Sequence, residues 1–398
     1  MAEMNQVSEA TQLFRDIFDG KTPKRVPIEL SVNYEGAASY ALENNKLGDA
    51  DLTLREVMYS DSYYKTVAEA VNETVLADKA PITMSSRNPV VYQLLESKCI
   101  NMSSSGFMQH PEVHSLEAEE YDEFISDPFK FMVEVLLPRL YPALDCEPGR
   151  RAMLFAKAMA ANSAETAKFA AAVREAGQKY KYAVIPAGRS TAPLDFLADM
   201  LRSFSHISGD IRRYPDKVLK ACEVITPLML REGLGTDPAG LPLYYRTFIP
   251  LHMGSFINQK QFDQFYWPSF KELMDGLVSP DVQGLGVDLF VEDDWMRHLD
   301  KLASLEGTVK MQFEYGDYQL IREKLENTKH IVTGLYPTSL LQYSSRQECI
   351  DKAKELLDIF APGGKFTFGF DKSFFSLKEP ILSNLRAVCE YVYENGIY

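Results

Sequence analysis

The chain of 398 residues is poor in features that would announce a function. Its five cysteines, Cys99, Cys146, Cys222, Cys349 and Cys389, are an odd number with no CxxC pair. A disulfide framework and a structural zinc knuckle are therefore not expected, and a reducing cytoplasm is the natural setting. The sequons at Asn72 and Asn101 carry no weight beside an acidic, polar N-terminus with no signal-like apolar stretch. No run of about 18 apolar residues is present, so no membrane-spanning helix is expected. Basic runs are missing as well: 42 Lys and Arg stand against 56 Asp and Glu, a net charge of −14. That balance argues against nucleic acid and anionic membrane as partners. GxGxxG, GxxxxGK[ST], HExxH and GxSxG are all absent. His110 and His114 are four apart, but Pro111 follows the first, so they read as loop residues rather than a metal-binding pair.

What is present is an ordinary folding composition, 46% hydrophobic and 25% charged, which excludes disorder. Leu13, Phe14, Ile17 and Phe18 make the stripe of a first helix, with Gly20 to end it. A strand follows from Val26 to Val32 and stops at Asn33 and Tyr34. Residues 35–180 read as helix-rich insertions, with helical stretches at 119–144, interrupted by Pro128 and Pro138, and at 152–180. Short strands are expected at Ile82–Met84 and Cys99–Ser103.

From residue 180 a regular alternation begins. Apolar runs at 182–188, 246–252, 284–294, 308–317, 330–337 and 364–371 are each followed by a helical pattern. Continuous apolar strands alternating with helices mean a parallel sheet covered by helices. An open doubly wound sheet lacks its glycine-rich phosphate loop here. The strand count and length favour the alternative, an α/β chain folded as a (β/α)8 TIM barrel, 1–398 as one domain.

In such a barrel the site lies at the C-terminal strand ends. The residues there are Asn33 and Tyr34, Arg189, His252, Glu292 with Asp293 and Asp294, Glu314 with Asp317, Tyr336 and Asp371. Clustered acids in one concavity raise one another's pKa and supply protonated carboxyls near neutral pH. Glu292, His252, Asp293 and Glu314 are the candidates for acid chemistry, and Glu292, His252 and Asp317 for metal binding. Asn33, Tyr34, Arg189, Tyr244, Tyr336 and Asp371 are candidates for substrate binding. Tyr245 and Phe256 could line an apolar pocket with Tyr34 and Tyr244, or be core and rim aromatics. Each polar candidate also has an ordinary use. Asp293, Asp294 and Asp317 precede helices, where carboxylates cap N–H groups. His252 can be a hydrogen-bonded core histidine, and Arg189 can simply pair with an acid.

The segments HPEVHSLEAEEYDEFISDPFKFMVEVLLPRLYPAL, FIPLHMGSFINQKQFDQFYWPSFKELMDGL and VTGLYPTSLL…APGGKFTFGFDK resemble the uroporphyrinogen decarboxylase superfamily, more narrowly its corrinoid-dependent methyltransferase branch. The likeness runs from about residue 12 to the C-terminus and implies the same barrel fold. True uroporphyrinogen decarboxylases carry RPPVWFMRQAGRY after the first strand. Laid on RVPIELSVNYEGA, that motif keeps Arg25 and places its other arginines on Val32 and Gly36. Arginine forks are the natural grip for a polycarboxylate porphyrinogen, so that substrate is disfavoured. The methyltransferase branch implies transfer of methyl between a small methylated molecule, an ether or amine, and a corrinoid carried by a partner protein. It also implies zinc, held by a His-x-Cys pair and a later Cys. Those positions fall on Phe290, Glu292 and Gly363 or Gly364, so the usual sulfur ligands are absent. Glu292 with Glu314, Asp317 or His252 is then expected to bind a metal through oxygen and nitrogen, or to act without one as a general acid. A decarboxylase on another substrate and a barrel that only binds are the competing readings.

Overall fold

The computed structural model describes residues 8–83, 89–185, 187–235, 246–278 and 286–398. They form two units, each assembled from separated stretches of chain. The first comprises Met1–Ser86, Glu165–Ile185 and Thr308–Tyr398; the second comprises Arg87–Ala164 and Pro186–Gly307.

The first unit opens on the helix Glu9–Phe18. Ser8 caps it by accepting from the Thr11 N–H, and Leu13, Phe14 and Ile17 are buried. The expected first strand is shorter than its apolar run. Only Val32–Asn33 forms a ladder, parallel to Ile82–Thr83. Upstream, Arg25 and Ile28 make single bridges to Ile397 and Phe368. The physical reason is proline: Pro23 and Pro27 have no N–H to give a ladder. Val26, Ile28, Leu30 and Val32 are nonetheless buried, as a core strand requires.

Parallel strands Val309–Phe313, Ile331–Tyr336 and Gly369–Phe370 continue this unit, the second pairing with both others. Helices Tyr318–Leu325, Arg346–Phe360 and Ile381–Asn395 follow them. Gly334 (φ +81°) and Leu335 (φ +67°) kink the middle strand. A side chain on Gly334 would meet the Phe313 carbonyl oxygen at 2.5 Å, so glycine is required there. A buried charge network lies beneath. The Glu29 carboxylate accepts from Lys310 Nζ (2.6 Å), Lys79 Nζ (3.3 Å) and the Thr367 hydroxyl (2.6 Å). Burial opposes the Glu29 charge, but the two lysines outweigh it and bring the carboxyl down to about 2.

The second unit holds three parallel strands in sequence order, Ala187–Arg189, Arg246–Leu251 and Gly286–Val291. Its helices include Phe204–Arg213, Pro215–Leu234 and Trp267–Leu277. Of the two prolines expected to break the 119–144 region, Pro128 opens a new helix after a break at Asp127, but Pro138 interrupts nothing. The run continues from Pro128–Phe131 through the π-helical stretch Met132–Leu136 into Leu137–Leu140, the widened turn taking up the missing N–H. The region expected as a strand at Cys99–Ser103 is a hairpin, Asn101–Met102 antiparallel to Met108–Gln109. The alanine-rich stretch forms one helix, Pro148–Tyr180, of which the residues up to Ala164 belong to this unit and those from Glu165 to the first. Among the described residues no helix is long and apolar enough to cross a membrane.

Candidate functional site

Strand register builds the site in the second unit. Leu251 pairs with Val291, so the next residues, His252 and Glu292, leave adjacent parallel strands side by side. Their side chains meet: Nε2 of His252 lies 2.7 Å from a Glu292 carboxylate oxygen. The other imidazole nitrogen, Nδ1, lies 2.7 Å from Oδ2 of Asp199. Asp199 sits on a π-helical stretch, Leu197–Arg202, that continues the short helix Pro193–Phe196. Such widened turns recur at functional sites, and a second one, Phe262–Tyr266, carries Tyr266.

Asp195 fixes the backbone beneath the imidazole. Its fully buried carboxylate accepts the N–H groups of His252 (3.1 Å) and Met253 (2.7 Å) and the Tyr266 hydroxyl (2.8 Å). Those N–H groups open the 3₁₀ turn Met253–Ser255, which otherwise lacks a cap. The Trp295 indole donates to the Glu292 carbonyl at 2.9 Å and so holds that strand end. Arg297 donates to the carbonyls of Ser255 (2.6 Å) and Ile257 (2.8 Å), closing the loop after His252.

Charge follows from this arrangement. Burial opposes a cationic His252, but the hydrogen bonds to Asp199 and Glu292 and the charge of Asp195 prevail and raise the imidazole to about 11. It is an imidazolium at neutral pH. Burial pushes the Asp195 carboxyl up to about 6, with Asp199 adding to the rise and His252 opposing it. His298 shows the opposite environment: stacked 3.6 Å from Phe262 and fully buried, it is driven down to about 4 and stays neutral.

The other expected residues are placed as follows. Asp293 is exposed, with its backbone in the left-handed region (φ +63°), and Asp294 accepts the Met296 N–H at 2.9 Å. Arg189 is exposed at the end of its strand. Phe256 is exposed and meets Phe204 edge-on at 4.9 Å. Tyr244 and Tyr245 lie outside the described residues. The remaining candidates belong to the first unit. Asn33 precedes the helix Tyr34–Glu43. Tyr34 is buried edge-on to Tyr64 and Phe169, and its hydroxyl has no partner among the described residues. Glu314 accepts from Lys372 at 2.6 Å. Asp317 caps Tyr318–Leu325 through the Leu320 N–H, the ordinary use its position suggested. Tyr336 is fully buried and donates to the Cys349 carbonyl at 3.0 Å, while Asp371 accepts the Thr338 N–H at 3.0 Å. Sequence reasoning missed Asp195, Asp199 and Tyr266. The available signal was two acids four apart in the apolar run PLDFLADM, where an unpaired charge would be costly.

The His252 cluster does not fit the zinc site that the family resemblance implies. Both imidazole nitrogens are engaged by carboxylates. Burial pushes the Cys222 thiol up to about 12, with the Asp195 charge adding to the rise and the Ser269 hydroxyl opposing it, so it stands as a neutral thiol. Among the described residues no three His, Cys, Asp or Glu side chains are gathered so as to hold a metal ion.

No protein-family model matches the chain, and no curated protein matches it by sequence. Solved structures do. A methyltransferase from Methanosarcina mazei superposes with a TM-score of 0.61 at 12% identity, over 98% of this chain and 99% of that one. A B12-independent methionine synthase from Shewanella sp. W3-18-1 gives 0.36 at 13% identity over 56% and 65% of the two chains. A putative vitamin-B12-independent methionine synthase from Listeria monocytogenes gives 0.41 at 9% over 93% and 96%. The last two superpose too loosely to bear on the fold. The first shares it: the chain is an α/β protein, a (β/α)8 barrel with helical insertions near the N-terminus.

Proposed function

We propose that the chain is a methyl-transfer enzyme that moves a methyl group from a small methylated substrate, an ether or amine, to a corrinoid carried by a separate protein, with His252 as the acid. The observation that carries this reading is the His252 imidazole held at 2.7 Å on each side by the carboxylates of Asp199 and Glu292. The likeness of fold to a methyltransferase and the resemblance to the corrinoid-dependent branch support it.

The difficulty of the reaction is the leaving group, because an ether oxygen or amine nitrogen releases methyl poorly unless protonated. The corrinoid supplies the nucleophile that takes the methyl carbon. In this reading Asp199 anchors Nδ1 and aims the ring, as an orienting carboxylate does for a catalytic imidazole. Glu292, more exposed than Asp199, yields Nε2 to the substrate heteroatom. The Nε2 proton passes to that heteroatom as its bond to methyl breaks. Loss of the Glu292 contact lowers the affinity of the ring for its proton and makes it the better acid.

The test is to mix the full chain with a reduced corrinoid protein and a panel of methoxy-aromatics and methylamines, and to follow methyl-cobalt absorbance. Wild type forms it with at least one donor, and His252→Gln slows it by about 10² to 10⁴, the range for loss of a general acid. Carbon dioxide release in place of methyl-cobalt would identify a decarboxylase, and neither product would leave a binding protein.

A further inference from the structure

Away from His252, the second unit brings together two imidazoles that the sequence keeps apart. His114 and His206 lie with ring centres 4.7 Å apart and planes inclined at 40°. Two imidazoles on one ion, with metal–nitrogen bonds of about 2.0–2.1 Å, put their ring centres about 5 Å apart. We propose that His114 and His206 bind a divalent ion of the later first transition series, copper, nickel or zinc, with water completing its coordination.

The surroundings are those of ligands held in place. Nδ1 of His206 lies 2.7 Å from the Ser203 hydroxyl, in a turn whose Ser203 and Ser205 side chains both hold the Glu112 carboxyl below its usual value. The Ser203 contact fixes the ring and leaves Nε2 without a partner among the described residues, the outer-shell pattern that orients metal-binding histidines. Glu112 is itself pinned by the Ser205 N–H (3.2 Å) and hydroxyl (3.0 Å). On the other imidazole, Nε2 of His114 faces Glu117 at 3.4 Å, leaving Nδ1. The two supporting segments are tied together, because the Leu201 carbonyl accepts the N–H groups of both Ser115 (2.7 Å) and Leu116 (3.0 Å).

Ser203 adds an independent sign. It is almost fully buried, with φ +69° and ψ 154°, a conformation that glycine adopts and other residues avoid. Such strained backbone collects at ligand clamps. Here it lets one side chain cap the helix Phe204–Arg213 through the His206 N–H and hold the His206 ring as well. Imidazole donors suit copper, nickel and zinc, and affinity rises toward copper.

Copper(II) titrated into the full chain, followed by calorimetry and electron paramagnetic resonance, tests the proposal. One site with nitrogen couplings from two imidazoles is expected. His114→Gln and His206→Gln should each weaken binding at least tenfold while far-ultraviolet circular dichroism stays that of wild type. Ser203→Gly, which keeps both ligands and relieves the strain, should weaken it about 10- to 100-fold. Zinc should raise the Tm of wild type and leave that of His206→Gln unmoved. Unchanged affinity in either histidine variant overturns the proposal. So does coupling to a single nitrogen, or copper broadening of imidazole resonances at His252 or His110 in place of His114 and His206. None of these outcomes depends on methyl transfer.

Discussion

The carboxylate of Asp199 stands 2.7 Å from Nδ1 of His252, across 53 residues of sequence, and holds the proton on a half-buried strand-end histidine. Opposite charge at this distance favours the protonated ring. Removing it should therefore lower the pH at which the proton leaves. In a methyl-transfer assay, the falling alkaline limb of the rate should move down by about 1 to 3 pH units in Asp199→Asn. A limb that stays in place would separate His252 from the proton transfer.

Glu29 anchors the first unit. Its carboxylate is buried against Lys310 and Lys79, so Glu29→Gln leaves cationic lysine without its counter-charge. A loss of about 3 to 5 kcal/mol in unfolding free energy is expected from urea titration. The pH sign is fixed by the lowered carboxyl. Its contribution is complete above the ordinary value of 4.5 and is lost as pH falls toward about 2. Wild type should therefore lose stability more steeply than Glu29→Gln below pH 4.5. Parallel curves would contradict the network.

How much of this was legible in the sequence depended on the range of the cause. The strands at 246–251, 286–291, 309–313 and 331–336 were visible because each is one continuous apolar run with a helix after it. The first strand was only partly legible, since burial follows the apolar pattern but the ladder follows the N–H groups that Pro23 and Pro27 lack. His252 and Glu292 could be picked out as strand-end residues. Asp195 and Asp199 stood out only as two acids in an apolar run, and their partner was not legible, because only tertiary structure brings that helix to the next strand's end. Tyr336 shows the limit of the strand-end rule: its hydroxyl is used within the core, on the Cys349 carbonyl.

Tyr266 and Asp195 form the support of the site. Tyr266→Phe removes one of three donors to a fully buried carboxylate. Stability should fall by about 1 to 3 kcal/mol, the cost of leaving a buried acceptor short of a partner. Asp195 should also titrate at higher pH than in wild type. Thermal melts and carboxyl carbon shifts report the two effects, and an unchanged melt would mean that water replaces the hydroxyl without loss.

Gly254 lies against the Trp295 ring, close enough that any β-carbon would collide with it. Gly254→Ala should push the indole away and loosen its bond to the Glu292 carbonyl. The expected readings are a cost of about 1 to 3 kcal/mol, as for overpacking, and a red-shifted, more quenchable tryptophan fluorescence. Native fluorescence with full stability would show that the turn has room.

The most direct measurement is nitrogen-15 NMR of the His252 ring across pH 6 to 11 in the substrate-free protein. The account predicts two protonated ring nitrogens throughout the neutral range, with deprotonation only near 11. A His252 ring found neutral at pH 8 would contradict it, because no cation would then stand between Asp199 and Glu292 to give up its proton.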